Sequence, residues 1–171
     1  MTQTLTQTLT PPPTPTQTIN PKLIMPFVNS VRNVFATMVR VKTEILRPIV
    51  KGDPTPSYDV SSIIGFTGEI TGSVVVSFQM SAAEKLVTAF AGTPITRDSP
   101  DFADALGELA NMIAGSAKKD LGVTAGITTP SVVMGSGHTI ARLKDVPCLV
   151  IPCKTEVGDF AVEVSIRQVK P

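Results

Sequence analysis

Between Ser99 and Gly122 the sequence reads SPDFADALGELANMIAGSAKKDLG, and this run constrains the fold more than any other. At ~100° per residue Phe102, Leu106, Leu109, Ile113 and Ala117 fall on one stripe, which predicts a long amphipathic helix with one face to bury. Ser99 is placed to cap it, Pro100 suits the first turn, Asp101 complements the positive helix end and Gly122 can stop it. Opposite the stripe, Asp104, Glu108, Asn111 and Gly115 lie within about 40° of a single line. Asn is a mediocre helix former and Gly costs ~1 kcal/mol against Ala in a helix interior, so the helix carries two weak choices along that line.

The partners for the apolar stripe are predicted on both sides of it. Asn20 can cap and Pro21 can open an earlier helix with apolar residues at Ile24, Phe27, Val28, Val31, Val34, Phe35 and Met38, with Pro26 delaying or kinking its start. VKTEILRPIV reads as a strand ending near Pro48, and VSSIIGFTGEI with GSVVVSFQ as a hairpin around a Thr71-Gly72 turn. SAAEKLVTAFAG presents a capping box at Ser81 and Glu84 and stops at Gly92. GITTPSVVMGSGHTIARL, VPCLVIPCKTEV and DFAVEVSIRQVK read as strands broken by Pro and Gly turns. Helices and strands do not alternate regularly, so the expected class is α+β, a mixed or antiparallel sheet packed against long helices. Placing Asn33 on Asn111 sets Val28 on Leu106, Val31 on Leu109 and Phe35 on Ile113, a weak internal repeat that suggests two related halves.

The 171 residues, 42% of them hydrophobic, suffice for one substantial core. Residues 1–19 hold no charged side chain, repeat Thr-Gln-Thr-Leu and carry a Pro block, so a disordered tail ahead of a domain spanning 20–171 is expected, and its deletion should cost neither stability nor activity. A formal charge of +1 with scattered Lys and Arg supplies no basic field for nucleic acid or an anionic membrane. No run approaches the ~18 apolar residues of a membrane span and the start does not read as a secretory signal, which predicts a soluble, cytoplasmic chain. Cys148 and Cys153 lie on one predicted strand with side chains on opposite faces roughly 16 Å apart, so they read as buried thiols rather than a disulfide or metal pair. A single histidine and no further thiols leave no zinc or haem set.

The line of Asp104, Glu108, Asn111 and Gly115 has an ordinary reading as a solvated helix face. It also has a chemical one. A carboxylate and a carboxamide one turn apart sit on a rigid element, with Gly107, Ala114 and Gly115 small enough for another protein to approach closely. An amide can orient water through its hydrogen bonds but cannot act as a general base, so such a site assists chemistry set up elsewhere. His138, at a Gly-bounded strand start, fits a turn or packing role better than catalysis. The GSG before it is followed by a predicted strand instead of a helix and so is no phosphate loop. Met112 and Met134 read as packing residues, and Lys118 and Lys119 as complements to the helix's last turn.

The spacing Asp104-x-x-x-Glu108-x-x-Asn111 resembles the D/S-x-x-x-E-x-x-N signature of the CheC/CheX/FliY phosphatases of bacterial chemotaxis. ELANMIAGSAKKDL, TTPSVVMGSGH and MPFVNSVRNVFATM resemble the CheX branch, and the likeness runs from about Asn20 onward. The resemblance implies an aspartyl-phosphate phosphatase acting on a CheY-type receiver domain. It makes Glu108 the docking contact for a receiver lysine and Asn111 the group that positions the attacking water. Asp104 matches the first signature position and, with Glu108 and Gly115, is expected to touch the partner. The resemblance implies no cofactor of the chain's own, Mg²⁺ being held by the partner receiver, and a homodimer. The expected partners include neither nucleic acid nor membrane. In the first helix Pro26 stands at the position of Asp104 and Ser30 at that of Glu108, so a second site is not expected. The alternative reading is a non-catalytic receiver-binding adaptor or flagellar switch component of the same fold.

Overall fold

The computed structural model describes residues 20–169; the tail expected over 1–19 lies outside them. The elements are α1 (Pro21–Val34), β1 (Thr43–Ile45), β2 (Ile49–Lys51), β3 (Val60–Gly68), β4 (Ile70–Phe78), α2 (Met80–Ala91), α3 (Asp101–Leu121), β5 (Ala125–Ile127), β6 (Ser131–Met134), β7 (Cys148–Thr155) and β8 (Phe160–Gln168). The strands form one sheet in the order β1-β7-β8-β4-β3-β5, with β2 also on β7 and β6 also on β3. Every described pairing is antiparallel, so the α+β expectation is met by an antiparallel sheet with helices on one face.

The two halves are visible in the pairing. Each contributes a helix, two short strands and a long hairpin, and each half's short strands pair with the other half's hairpin: β1 and β2 with β7, β5 and β6 with β3. β4 and β8 join the halves along nine residue pairs, from Ile70↔Gln168 to Phe78↔Phe160. Exchange of the short strands leaves both halves sharing one core, in which Phe27, Phe35, Phe66, Phe78, Phe102 and Phe160 are all fully buried. Phe35 stacks on Phe160 at 4.4 Å and Phe78 packs on the same ring at 5.8 Å.

Local chemistry explains both the agreements and the departures. The Asn20 side chain accepts from Lys22 N at 3.1 Å and Pro21 opens α1. Pro26 does not delay that helix, because it lies inside it and buries its ring. After Val34 the chain makes a π-helical turn, Phe35–Val39, closed by Arg40 N donating to Phe35 O at 2.8 Å with Arg40 at φ +59°. The extra residue shifts the apolar stripe by one position: Val39 enters the core and Met38, expected there, is left 46% exposed. The strand predicted to end near Pro48 stops earlier, at Ile45 (β1), and a second short strand, β2, resumes directly after Pro48, since proline cannot continue the ladder.

The β3–β4 turn falls at Gly68-Glu69 instead of Thr71-Gly72. Gly72 pairs within the strand at φ +137°, where a Cβ would come within 2.0 Å of Ser165 O, so its need for glycine is real but is not a turn. Ser81 caps nothing: α2 begins at Met80 after Gln79, and Glu84 instead accepts from Arg97 N and Nε at 3.0 and 3.3 Å. That contact lowers the Glu84 carboxyl below its ordinary value, chiefly through the Arg97 backbone hydrogen bond. No strand follows the GSG segment; residues 138–143 form irregular chain, and Met134, expected to pack, is 47% exposed.

Candidate functional site

Helix α3 is held on three sides. Its stripe of Phe102, Leu106, Leu109, Ile113 and Ala117 is wholly buried as predicted. Ser99 Oγ accepts from Asp101 N at 3.3 Å, while Pro100 sits in the cap position instead of the first turn, and Gly122 at φ +64° ends the helix. Ser30 of α1, fully buried, donates its hydroxyl to Ile113 O at 2.7 Å and fixes the contact between the two helices. On the other flank Gly107 lies under Pro130, whose Cγ would stand 2.9 Å from a Cβ placed there.

These contacts leave one strip of α3 in solvent. Asp104 and Glu108 are exposed, and Asn111 and Gly115 are half-buried on the same side. The ends of the strip, Asp104 and Gly115, are eleven positions apart, about 16 Å at the helical rise. Among the described residues, the side chains of Asp104, Glu108 and Asn111 make no hydrogen bond or ion pair with the protein. The carboxylates therefore retain their acceptor sites and the amide its two donors and its acceptor. The small neighbours divide. Gly107 and Ala114 are buried within the chain's own packing, contrary to the expectation that they lie open to a partner, whereas a Cβ on Gly115 would meet nothing within 4 Å.

The sequence did not point to two neighbours of the strip. One is Pro130, in the loop between β5 and β6, which forms a wall beside Gly107. The other is a groove of about 450 Å³ between α1 and α3 on the opposite flank. The glycine in mid-helix was the available signal for the first; nothing in the sequence marked the second, because it depends on how two helices cross. The first helix offers no equivalent strip, since Ser30, one turn before Asn33, is turned inward.

The remaining chemically capable groups are committed elsewhere. His138 Nδ1 donates to Gly135 O at 2.7 Å, which leaves Nε2, 2.9 Å from Ser61 Oγ, to accept from that hydroxyl. Cys148 and Cys153 are buried and unpaired in a disulfide, and burial raises their thiols to about 11 and about 12. Among the described residues no three His, Cys, Asp or Glu side chains gather where they could hold a metal ion.

The family model described as chemotaxis phosphatase CheX matches residues 60–154, which include all of α3. A chemotaxis protein CheX from Desulfovibrio desulfuricans is 37% identical, with a TM-score of 0.76 over 86% of this chain and 99% of that one. A CheC-like superfamily protein from a Shewanella species is 30% identical, with a TM-score of 0.78 over 87% and 99% of the two chains. The CheY-P phosphatase CheX of Thermotoga maritima is 27% identical over 150 residues, 85% of this chain and 96% of that protein. Fold, strip and likeness together define a member of the CheC/CheX/FliY class. Within it, the chain belongs to the CheX family of chemotaxis phosphatases.

Proposed function

We propose that the chain accelerates hydrolysis of the aspartyl phosphate of a CheY-type receiver domain. The observation that carries this reading is the uncommitted carboxylate and carboxamide, one turn apart on a rigid helix, within the segment that matches the CheX family. Glu108 docks on a receiver lysine, with Asp104 and Gly115 beside it on the partner. Asn111 enters the phosphorylation site and holds a water in line with the phosphorus. The water oxygen forms a bond to phosphorus as the bond to the aspartyl oxygen breaks, the electron pair returns to the aspartate carboxylate, and both water protons leave with inorganic phosphate.

An acyl phosphate is already reactive, so positioning is what a helper can add; well-oriented reactants recover as much as ~11 kcal/mol of barrier. No nucleophile or general base is needed from this chain. Mg²⁺ held by the receiver would neutralise charge on the phosphoryl group. No described helix is long and apolar enough to cross a membrane, which is compatible with a place in the cytoplasm beside such receivers. The same reading includes a homodimer, supported by the short outer strand β2, whose Ile49 and Val50 are 53% and 42% exposed.

The test is to mix the purified protein with phosphorylated receiver domains encoded in the same genome and follow release of inorganic phosphate. Faster release from at least one receiver is expected. Release at the receivers' own rates throughout would contradict a catalytic role.

A further inference from the structure

The groove between α1 and α3 is lined by Asn33, Thr37 and Met38 on one wall and Met112, Gly115 and Lys119 on the other. Three independent observations single it out. The π-helical turn at the end of α1 moves Met38 out of the core stripe that the sequence assigns to it and leaves it 46% exposed on the groove wall. A π turn is a costly way to end a helix and recurs where function requires it. Gly115 forms a gap that no packing within the chain requires, since a Cβ there would meet nothing within 4 Å. Met112 directly follows Asn111 and Gly115 lies one turn beyond it, so the groove is continuous with the proposed catalytic strip.

Charge runs along the same line. Asp104 and Glu108 stand toward one end of α3, and Lys119 at the other borders the groove. An occupant in register with both ends presents a cation near Glu108, an apolar side chain between the two methionines, and an acceptor near Lys119. Methionine is suited to such a surface because its unbranched thioether adapts to the shape of its partner.

We infer that this groove is the specificity surface for the phosphorylated receiver. It takes an apolar side chain from the receiver segment flanking the phosphorylated aspartate, while Asn111 enters the phosphorylation site. The inference rests on the phosphatase reading and names the part of the protein that selects among receivers. Met38 is a binding residue, and its contribution falls on affinity instead of the chemical step.

The experiment measures kcat and KM for phosphate release from the receiver that the wild type serves best. It also measures the Kd of that receiver loaded with beryllofluoride and Mg²⁺, which reports binding without turnover. Met38→Glu and Gly115→Leu are expected to raise both KM and Kd about tenfold or more, with kcat within about twofold of wild type. Met38→Leu should restore wild-type values, and melting midpoints should show that all three variants fold. If the wild type turns over and KM and Kd stay within about twofold in both disruptive variants, the groove is excluded and the phosphatase reading stands. If the wild type neither binds nor turns over any receiver, both fall. A lower sedimentation mass for Met38→Glu than for wild type would show that a second copy of the chain fills the groove, which also overturns the inference.

Discussion

Glu108 and Glu163 are the same residue type put to opposite uses. Glu163, on the sheet face away from the helices, is fully buried and saturated: Oε1 accepts from Ser57 N and Oγ, each at 2.6 Å, and from Lys51 Nζ at 3.4 Å. Its Oε2 pairs with Arg142 and takes a weak contact from the Cys148 thiol at 3.9 Å. The arrangement ties the chain around residues 51–57 and Arg142 to β8. Glu108 is exposed and has no such partner among the described residues. A buried carboxylate must be paired or the fold bears its desolvation, whereas an exposed one adds little to stability. The side chains left unpaired on α3 are therefore free for a partner at almost no cost to the fold.

This contrast can be broken experimentally. Glu163→Ala removes the acceptor for two largely buried cations and should destabilise the protein by about 3–5 kcal/mol, read from chemical denaturation. A loss below about 1 kcal/mol would place Glu163 among the dispensable surface charges. The two glycines of α3 provide a sharper version. Leucine at Gly107 must displace Pro130 and should cost about 1–3 kcal/mol, whereas leucine at Gly115 should be neutral or stabilising, because it meets open space and improves helix propensity. Equal effects at the two positions would remove the distinction between a glycine kept by packing and one kept for a partner.

The buried thiols give a pH test of the sheet. Their ordinary value is 9.0, and in the folded protein they rise to about 11 for Cys148 and about 12 for Cys153 through burial. Below pH 9 they are protonated in both states and add no pH dependence. As pH rises from 9 toward 12 the unfolded chain ionises first, so stability should fall across that window. Replacing both thiols by alanine should flatten this part of the profile; an unchanged slope would assign it to other groups. The smallest stability effect is expected for Glu108→Lys, within about 0.5 kcal/mol of wild type. The same variant should bind receiver more weakly, most clearly at low salt, because it sets a cation against the partner's lysine.

Much of this was legible where a local rule settled the outcome. The α3 stripe, the Asn20–Pro21 start of α1, the stops at Gly92 and Gly122 and the placement of exposed Asp104 and Glu108 and half-buried Asn111 opposite the core all follow from helical period and cap chemistry. What escaped depends on contacts far apart in sequence. Alternation in DFAVEVSIRQ places Glu163 on the face away from the core, which reads as solvent until residues from two other segments close over it. The π-helical turn that expels Met38 has no signature in residue type, and the capping box failed because Glu84 found Arg97. The groove beside Asn111 was illegible for the same reason, since it exists only where α1 and α3 meet.

The central claim is that Asn111 contributes to the reaction and nothing to the fold. It is tested by measuring, on one preparation each of wild type and Asn111→Ala, the melting midpoint, the Kd for a beryllofluoride-loaded receiver and the rate of phosphate release from the phosphorylated receiver. The account predicts an unchanged or slightly higher midpoint, since alanine is the better helix former, a Kd near that of wild type, and release no faster than the receiver alone. Release at the wild-type rate by a folded, receiver-binding Asn111→Ala protein would contradict it.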